Sequence, residues 1–241
     1  MKSAFSIALI VVLFFPGLSQ EKKKVKCNTW IGFGPSIVKY KINAQHAADA
    51  KSKAALHFFI HEELRIRPWA SLVSGIGYFG QGLGFSSYYF KPDVLNLYTK
   101  EFNYNYEMRL HELNIPFQLK ANFNRNTQSK KTFFLQSGLV LRNVFAGTLE
   151  VTEQKTGKLI YYGDPEHQFL STILGKNWGS NFDISFGYRG QFGDGKTGMF
   201  FRTIFSKQLN QSLIVPQGTG SFTNDLRHSS TGISFVLGLV F

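Results

Sequence analysis

Strict alternation of apolar and polar residues constrains this chain most, because it leaves few ways to cover both faces of a strand. The final stretch places five apolar residues on one face: Ile233, Phe235, Leu237, Leu239 and Phe241. Residues 113–123 and 182–192 alternate in the same way, and their other faces carry full charges such as Lys120 and Arg189. A soluble sandwich would turn the apolar face to a core shared with a second sheet. A membrane barrel turns that face to lipid and lines its lumen with the charged face, and the connection lengths and the N-terminus favour this second arrangement.

The predicted strands are separated by connections of alternating length. Strands are expected at about residues 29–38, 55–67, 70–79, 113–123, 133–145, 182–192, 199–209 and 233–241. Long connections at 39–53, 80–106, 147–181 and 210–230 alternate with short ones near Pro68, at 124–131 and at 193–197. Long extracellular loops and short periplasmic turns give this order, with both chain ends in the periplasm. The sequence thus predicts an all-β fold, an antiparallel up-and-down transmembrane β-barrel of about eight strands.

The N-terminus has the parts of a secretory signal peptide. Lys2 supplies the positive charge, residues 4–15 form an apolar run, and the small residues Gly17 and Ser19 follow it. The run is too short to span a hydrocarbon core of about 30 Å, so a retained anchor is not expected. We expect residues 1–19 to be removed and residues 20–241 to form one barrel domain in the outer membrane. Cys27 is the single cysteine, so no disulfide can form within the chain.

The chain is basic, with 27 Lys and Arg residues against 15 Asp and Glu residues and a net charge of +12. Such a balance can indicate a nucleic-acid-binding protein, but export argues against that partner. At the outer membrane, the nearer anions are the phosphates and carboxylates of lipopolysaccharide. We therefore expect outer-membrane lipid and lipopolysaccharide as partners, together with the barrel-assembly machinery. The alternative is that the basic side chains only solvate the rims of the barrel.

One predicted strand carries a family motif. The segment LNIPFQLK, residues 113–120, resembles the Leu-x-Ile-Pro-x-x-x-Lys strand of the PorT-like outer-membrane β-barrel proteins of Bacteroidetes, where it is also the fourth strand. Gly32 and Gly34 are similar to glycines in the first strand of that family, and residues 133–140, with Gly138, are similar to its fifth. The resemblance implies a barrel fold and an outer-membrane location. Because some relatives are linked to type IX secretion, it also suggests a part in a secretion or surface assembly.

Charged residues on the inward face are the first candidates for a functional site. If the apolar face is outward, the lumen receives Glu63, Arg65, Glu112, Lys120, Arg142, Asp183, Arg189 and Arg202. A barrel of about eight strands is just wide enough to be filled by side chains. Buried charges that are not paired cost several kcal/mol each. We therefore expect a structural network of salt bridges that fills the lumen, and a narrow pore is the alternative.

An outer-membrane enzyme acting on lipid A is a further alternative. Small barrels of that kind use Ser, His and an acid near the outer rim, and His111, Glu112 and Ser137 lie on neighbouring predicted strands. Alternation places His111 and Glu112 on opposite faces, which separates the triad. His57 and His61 share a face but lie about 13 Å apart, too far for one metal ion. The chain is therefore expected to be no enzyme and to use no cofactor or metal.

Aromatic residues fall into two groups. Trp69, Tyr40, Tyr78 and Tyr188 lie near predicted strand ends, where they are expected to form interfacial girdles. A cluster in the long connection at 80–106 consists of Tyr88, Tyr89, Phe90, Tyr98, Phe102, Tyr104 and Tyr106. Either the strands extend beyond the membrane and pack these rings, or the loop binds a protein or glycan partner.

The last strand ends on an aromatic residue, which resembles the C-terminal signal that the barrel-assembly machinery reads. Ile233, Phe235, Leu237, Leu239 and Phe241 are therefore expected to direct assembly. Arg at position 237 would face lipid, whereas Ser at Gly238, on the lumen side, is expected to cost less. The expected function is that of a small non-enzymatic outer-membrane protein with a structural or binding role.

Overall fold

A computed structural model describes residues 27–43, 47–92, 98–123, 130–163, 166–169, 177–193, 197–215 and 226–241. Eight long strands form the wall of the fold: β1 (Cys27–Asn43), β3 (Ala54–Arg67), β4 (Ala70–Pro92), β5 (Tyr98–Asn122), β6 (Lys131–Glu153), β9 (Trp178–Gln191), β10 (Gly198–Gln208) and β12 (Leu226–Val240). Four shorter strands extend the wall at one end: β2 (Ala47–Ser52), β7 (Leu159–Gly163), β8 (Glu166–Phe169) and β11 (Ser212–Val215). Within these ranges no helix is long and apolar enough to cross a membrane.

The eight long strands form a closed antiparallel barrel. Each pairs with the next long strand, and β1 pairs with β12, which removes the free edges that an open sheet would have. Closure also joins the two ends of the described chain, because Thr29 and Phe241 exchange backbone hydrogen bonds of 3.1 and 3.0 Å. The predicted fold class and strand number are confirmed. The predicted signal peptide, residues 1–19, lies outside the described residues.

The two ends of the barrel differ. At the turn end, short connections join β3 to β4 and β9 to β10, and the second is closed by a 2.8 Å hydrogen bond from the Phe192 N–H to the Thr197 carbonyl. The N-terminus of β1 and the C-terminus of β12 also lie there. At the opposite end, the hairpin end, β4 and β5 remain paired as far as Pro92 and Tyr98.

An apolar belt surrounds the barrel on the outside. Its members are large apolar side chains that are exposed on every long strand: Ile31, Phe33, Ile37, Leu56, Phe58, Ile60, Leu72, Ile76, Leu113, Phe117, Leu119, Phe133, Leu135, Leu139, Phe182, Ile184, Phe186, Met199, Phe201, Phe205, Ile233, Phe235, Leu237 and Leu239. Soluble monomers rarely expose a continuous apolar surface of more than a few hundred Å². The belt thus gives the outward face the apolar character that was predicted from alternation.

The polarity of the wall inverts toward the hairpin end. On β5 the inward side chain changes from Glu112 to Leu110, and the outward one changes from Leu113 to Arg109. The interior beyond this level is an apolar cluster, the hairpin-end cluster, formed by Val38, Tyr40, Ala55, Leu83, Phe85, Tyr106, Met108, Leu110, Val144, Leu149 and Val151. A polar exterior over an apolar interior is the ordinary arrangement for a segment in water. The wall therefore has one part built for an apolar surrounding and one part built for water.

This inversion explains why the long connections were overestimated. Residues 80–106 were predicted as a connection, yet most of them belong to β4 and β5. Outward positions there carry Gly82, Gly84 and Ser86 instead of apolar residues, so the alternation that marks a membrane strand is missing. The strands do extend through most of this segment, and of the seven aromatic residues Tyr106 is buried and stacks on Phe85, with ring centroids 4.7 Å apart. The side chains of residues 88–90, 98 and 102 lie outside the described part of the structure. The connections at 147–181 and 210–230 are likewise shortened by β7, β8 and β11.

Two glycines allow close approach of the neighbouring strands beside the motif strand β5. Pro116 offers no N–H to the ladder, which makes the local pairing irregular. Gly75 and Gly138, on the strands to either side, have φ values of +148° and +157°, which L side chains rarely adopt. A Cβ atom on Gly138 would lie only 2.3 Å from the Phe117 carbonyl oxygen. Any residue with a side chain at position 138 would therefore clash with the backbone of β5.

Candidate functional site

The barrel interior near the turn end is organised around Glu63. Its side chain is completely buried and accepts four hydrogen bonds: from Asn28 Nδ2 at 3.2 Å, Trp30 Nε1 at 2.9 Å, Ser71 Oγ at 2.7 Å and Lys120 Nζ at 3.0 Å. These residues come from β1, β3, β4 and β5, and alternation turns all of them inward. An ionised carboxylate has about four acceptor sites. The four donors therefore satisfy the buried charge.

The ammonium group of Lys120 lies in an aromatic cage. Its Nζ atom is 3.6 Å from the centroid of the Trp30 ring and 4.5 Å from that of Phe134, and the side chain is only 2% exposed. The Trp30 ring also packs edge-on against Phe134, with centroids 5.4 Å apart, and lies 4.7 Å from Phe200. A cation over an aromatic face gains about 2 kcal/mol when it is desolvated. The ion pair with Glu63 and the cage together stabilise a buried cation.

A second buried ion pair joins β5 to β6. Arg142 Nε donates to Glu112 Oε2 at 2.8 Å, and its Nη2 donates to Glu112 Oε1, which makes the pair bidentate. Gln81 Nε2 donates to the same carboxylate, and the Tyr40 hydroxyl donates to Gln81 Oε1 at 2.6 Å. Polar groups of β1 and β4 are therefore connected to this pair.

The network continues from Arg142 to the next two strands of the wall, β9 and β10. Its Nη1 donates to Asn181 Oδ1 at 2.9 Å, and Asn181 Nδ2 donates to Ser206 Oγ at 2.9 Å. The Ser206 hydroxyl then donates to Asp183 Oδ1 at 2.6 Å. With Tyr40 and its partners, these bonds link β1, β4, β5, β6, β9 and β10. All but one of these links join neighbouring strands, and the bond from Tyr40 to Gln81 passes over β3, so the network fastens most of the inner wall from β1 round to β10.

A small polar cavity adjoins this network. It consists of two neighbouring spaces of about 30 and 20 Å³, and both are lined by His57, Asn114 and Asp183. A space of about 10–15 Å³ already accepts one water molecule. The cavity can therefore hold a few waters, and it is far too small for a drug-sized ligand.

Arg202 lines the smaller space and makes no hydrogen bond or ion pair with the described part of the chain. Its side chain is 3% exposed, and its guanidinium carbon lies 4.4 Å from the centroid of the Phe59 ring. The Nδ1 atoms of His57 and His61, which face the same space, also have no partner among the described residues. Asp183 lines the same space and attracts the guanidinium electrostatically, so buried polar atoms without a hydrogen-bond partner among the described residues, and the charge of Asp183, meet at this cavity.

The structure places seven of the predicted inward residues inside the barrel: Glu63, Glu112, Lys120, Arg142, Asp183, Arg189 and Arg202. Four of them form two ion pairs, whereas Arg189 and Arg202 contact no carboxylate among the described residues. Arg65, the eighth, is half-buried, and its Nε atom has no partner there.

Sequence reasoning missed most of the neutral members of these networks. They are Asn28, Trp30, Ser71, Gln81, Asn181 and Ser206, and each shares the inward parity of its strand, which was the available signal. One aromatic prediction is wrong. Tyr40 does not belong to an interfacial girdle, because it has inward parity and is 4% exposed. Trp69, at a turn-end connection, is 56% exposed, as a girdle residue would be.

The residues considered for an acyl-transfer triad are separated. His111 faces outward, where its Nδ1 atom lies 2.6 Å from the Tyr78 hydroxyl, while Glu112 faces inward to Arg142. Ser137 pairs with Leu119, far along β5 from His111. No group of three potential metal ligands occurs among the described residues.

The C-terminal strand has the predicted orientation. Ile233, Phe235, Leu237, Leu239 and Phe241 are all exposed on the outer surface. The expected tolerance at Gly238 is wrong. A Cβ atom there would lie 2.0 Å from the Ile31 carbonyl oxygen and 2.5 Å from the Phe200 ring, so even a small side chain clashes with the neighbouring strand.

No family model and no curated protein matches the sequence. Solved structures to which the chain is similar include the outer membrane protein OprG from Pseudomonas aeruginosa, with 7% identity over 89% of this chain and 94% of that chain and a TM-score of 0.46. Neisserial surface protein A has 10% identity over 87% of this chain and 95% of its own, with a TM-score of 0.36. Ail, the attachment invasion locus protein of Yersinia pestis, has 6% identity over 90% of this chain and 99% of its own, with a TM-score of 0.39.

Proposed function

We propose that this protein is a small, non-enzymatic outer-membrane β-barrel with a closed lumen and a structural or binding role outside the lumen. The inversion of polarity along the wall carries the proposal, since it matches a barrel that crosses lipid and then enters water. From Thr29 to Lys39 the belt spans about ten residues of β1. At about 3.3 Å per residue and a tilt of about 40°, this gives roughly 25 Å, the height of the apolar band of transmembrane barrels.

The closed lumen rests on what fills it. Near the turn end, Glu63, Lys120 and the rings of Trp30, Phe134 and Phe200 occupy the interior. The hairpin-end cluster fills the other end with apolar side chains. Between them the cavity has room for only a few waters. Neither a pore nor a lipid A-modifying enzyme is favoured by a specific observation.

A binding role is supported by the outer paired part of β4 and β5, which we call the ribbon (residues 88–92 and 98–103). In the described part of the chain, β4 pairs with β2 only as far as Ser87, and β5 pairs with β6 only as far as Tyr104. Beyond these positions the two strands pair only with each other, with Tyr88 opposite Phe102. Free strand edges are templates for an added strand, so this ribbon is suited to dock a protein partner at the cell surface.

The proposal also covers how the chain reaches the outer membrane and to which protein family it belongs. Export would use a cleaved signal peptide of residues 1–19, and insertion would use the assembly signal that ends at Phe241. Membership of the PorT-like family is supported by the segment 113–120, which lies on the fourth long strand. A part in a secretion or surface assembly would follow from that membership.

Conductance tests the closed lumen. The purified protein in planar bilayers should show no steady ion-conducting steps, whereas reproducible large conductance would overturn the closed lumen and favour the pore.

Cross-linking in native membranes tests the binding role. A photo-reactive residue at Tyr89 should cross-link a protein partner, and one at Tyr162, which is 67% exposed on β7, serves as the control. A variant with Asn-Gly in place of residues 88–103 should retain the barrel and lose the partner. If the partner co-purifies equally well with this variant, the ribbon is not its docking site.

A further inference from the structure

Three lysines lie together on the outside of the barrel, at the hairpin-end border of the apolar belt. Lys39 of β1 is opposite Thr231 of β12, and Thr231 is opposite Lys207 of β10, so these residues form one row across three strands. Lys41 lies one outward position further along β1, opposite Ser229. The three lysines are exposed. We call Lys39, Lys41, Lys207, Ser229 and Thr231 the basic patch.

The position of the basic patch relative to the belt is defined by the register. The adjacent outward row toward the turn end consists of Ile37, Ile233 and Phe205, which are 63%, 39% and 52% exposed. The wall therefore passes from apolar residues to lysines within one outward position on two strands. If the belt lies in hydrocarbon, as the proposed function requires, the lysines lie where lipid headgroups begin. Lysines at this level keep their stems along apolar surface and their ammonium groups in the polar layer.

The charge of the basic patch has no local counterpart on its strands. β1, β10 and β12 contain no Asp or Glu within their described spans. Elsewhere on the outer surface, Lys53 is paired with Glu107 at 2.6 Å. Three exposed lysines with no acidic residue on their own strands thus meet where β1, β12 and β10 pair.

The geometry fits a phosphate group. Two strand spacings separate Lys39 from Lys207, which is about 10 Å between backbones. Flexible stems allow both ammonium groups to approach an anion above Thr231, whose hydroxyl can donate as well. A phosphate monoester offers a charge of about −1.5 to −2 and three acceptor oxygens. Resting on the proposed outer-membrane location, we propose that the basic patch binds the phosphorylated headgroup of an outer-leaflet lipid.

A charge-matched pair of variants tests the site. The patch variant carries Lys39→Gln, Lys41→Gln and Lys207→Gln. The control variant carries Lys130→Gln, Lys155→Gln and Lys158→Gln, which removes three exposed lysines away from the patch. Both are folded into phosphatidylcholine vesicles, and folding is checked by heat-modifiable gel mobility. Binding of lipid A and of dephosphorylated lipid A is then titrated in zwitterionic micelles and followed by native mass spectrometry.

The wild type should bind lipid A, and the patch variant should bind it about a hundredfold more weakly. This figure follows from about 1 kcal/mol for each lysine near a membrane surface, which is about fivefold per lysine. The control variant should stay within about threefold of the wild type, and dephosphorylated lipid A should bind the wild type as weakly as lipid A binds the patch variant. A variant that carries Lys39→Arg, Lys41→Arg and Lys207→Arg should retain binding, because it keeps the charge.

Several results would overturn the site. The first is equal binding of lipid A and of its dephosphorylated form, and the second is an equal loss of lipid A affinity in the patch and control variants. The third is displacement of lipid A by inorganic phosphate at a concentration similar to that of lipid A, which would indicate a site for soluble anions. A wild type that inserts into phosphatidylcholine vesicles but ignores lipid A refutes this inference alone. A wild type that does not insert refutes the proposed function as well.

Discussion

Replacing Glu63 by Gln should be among the most destabilising single changes in this protein. The amide keeps the shape but removes the charge that compensates Lys120, which is 2% exposed and 3.0 Å away. Removing one partner of a buried ion pair costs about 3–5 kcal/mol, since the other charge is left uncompensated. A Gln side chain also has one acceptor oxygen for the donors of Asn28, Trp30 and Ser71. We therefore expect the free energy of unfolding to fall by about 3–5 kcal/mol.

Urea unfolding in lipid vesicles, followed by gel mobility and tryptophan fluorescence, measures this change. The matched control is Glu62→Gln, on the same strand but exposed and bonded at 2.8 Å to Thr29, and it should change stability by no more than about 0.5 kcal/mol. Adding Lys120→Met to Glu63→Gln should restore at least about 2 kcal/mol, because the lone charge is removed and methionine packs well against aromatic rings. Equal effects of the changes at Glu63 and Glu62, or a double variant as costly as the two single changes added, would refute the reasoning.

Three further predictions follow from the wall and lumen. Gly138→Ala should strongly reduce the folding yield on gels, since its Cβ would lie 2.3 Å from the Phe117 carbonyl oxygen. The control Gly190→Ala should fold normally, because the nearest atom to its Cβ would be 3.7 Å away. Similar folding yields for the two variants would contradict this prediction. Arg202→Met should leave the free energy of unfolding unchanged or raise it, because the desolvation cost of a buried cation that makes no hydrogen bond or close ion pair with the described residues is removed. A loss of more than about 2 kcal/mol would show that the attraction between Arg202 and Asp183 outweighs that cost. Deleting Phe241 should lower the membrane-inserted fraction in cell fractionation, because two backbone hydrogen bonds that close the barrel are lost; normal insertion would speak against an assembly role.

The sequence was sufficient to predict the strands and faces that cross the belt. Alternation works there because lipid outside and polar groups inside impose opposite requirements on neighbouring residues, as at Leu119 and Lys120. Outside the belt the same rule fails. Gly82 and Gly84 have outward parity but no side chain, so the alternation stops there. Residues 80–106 are therefore predicted as a connection, although β4 and β5 occupy most of them. Strand prediction from alternation assumes lipid on one face of a strand, and this assumption fails where the same strand leaves the belt and enters water.

The pairing of lumen charges could not be predicted, because it depends on register. Glu63 and Lys120 are 57 residues apart and meet only once β3, β4 and β5 are aligned. Alternation along the strands correctly predicts that both Arg202 and Lys120 point inward. It does not tell a cation that meets a carboxylate from one that faces a cavity. Register shifts at Ser87/Tyr88 between β4 and β5 and at His111/Glu112 between β5 and β6 change the alignment further, and they are visible only in the backbone.

A nitroxide scan of the last strand tests the central claim, that the belt faces lipid and the other face lies inside the barrel. Single cysteines are placed at positions 232–241 in a Cys27→Ser background, spin-labelled, and measured in bilayers for collision with oxygen and with a water-soluble nickel complex. Oxygen accessibility should alternate with a period of two and peak at Phe235 and Leu237, while the nickel complex should not reach these positions. Oxygen maxima at Ser234 and Val236, or nickel accessibility along the odd-numbered face, would contradict the account.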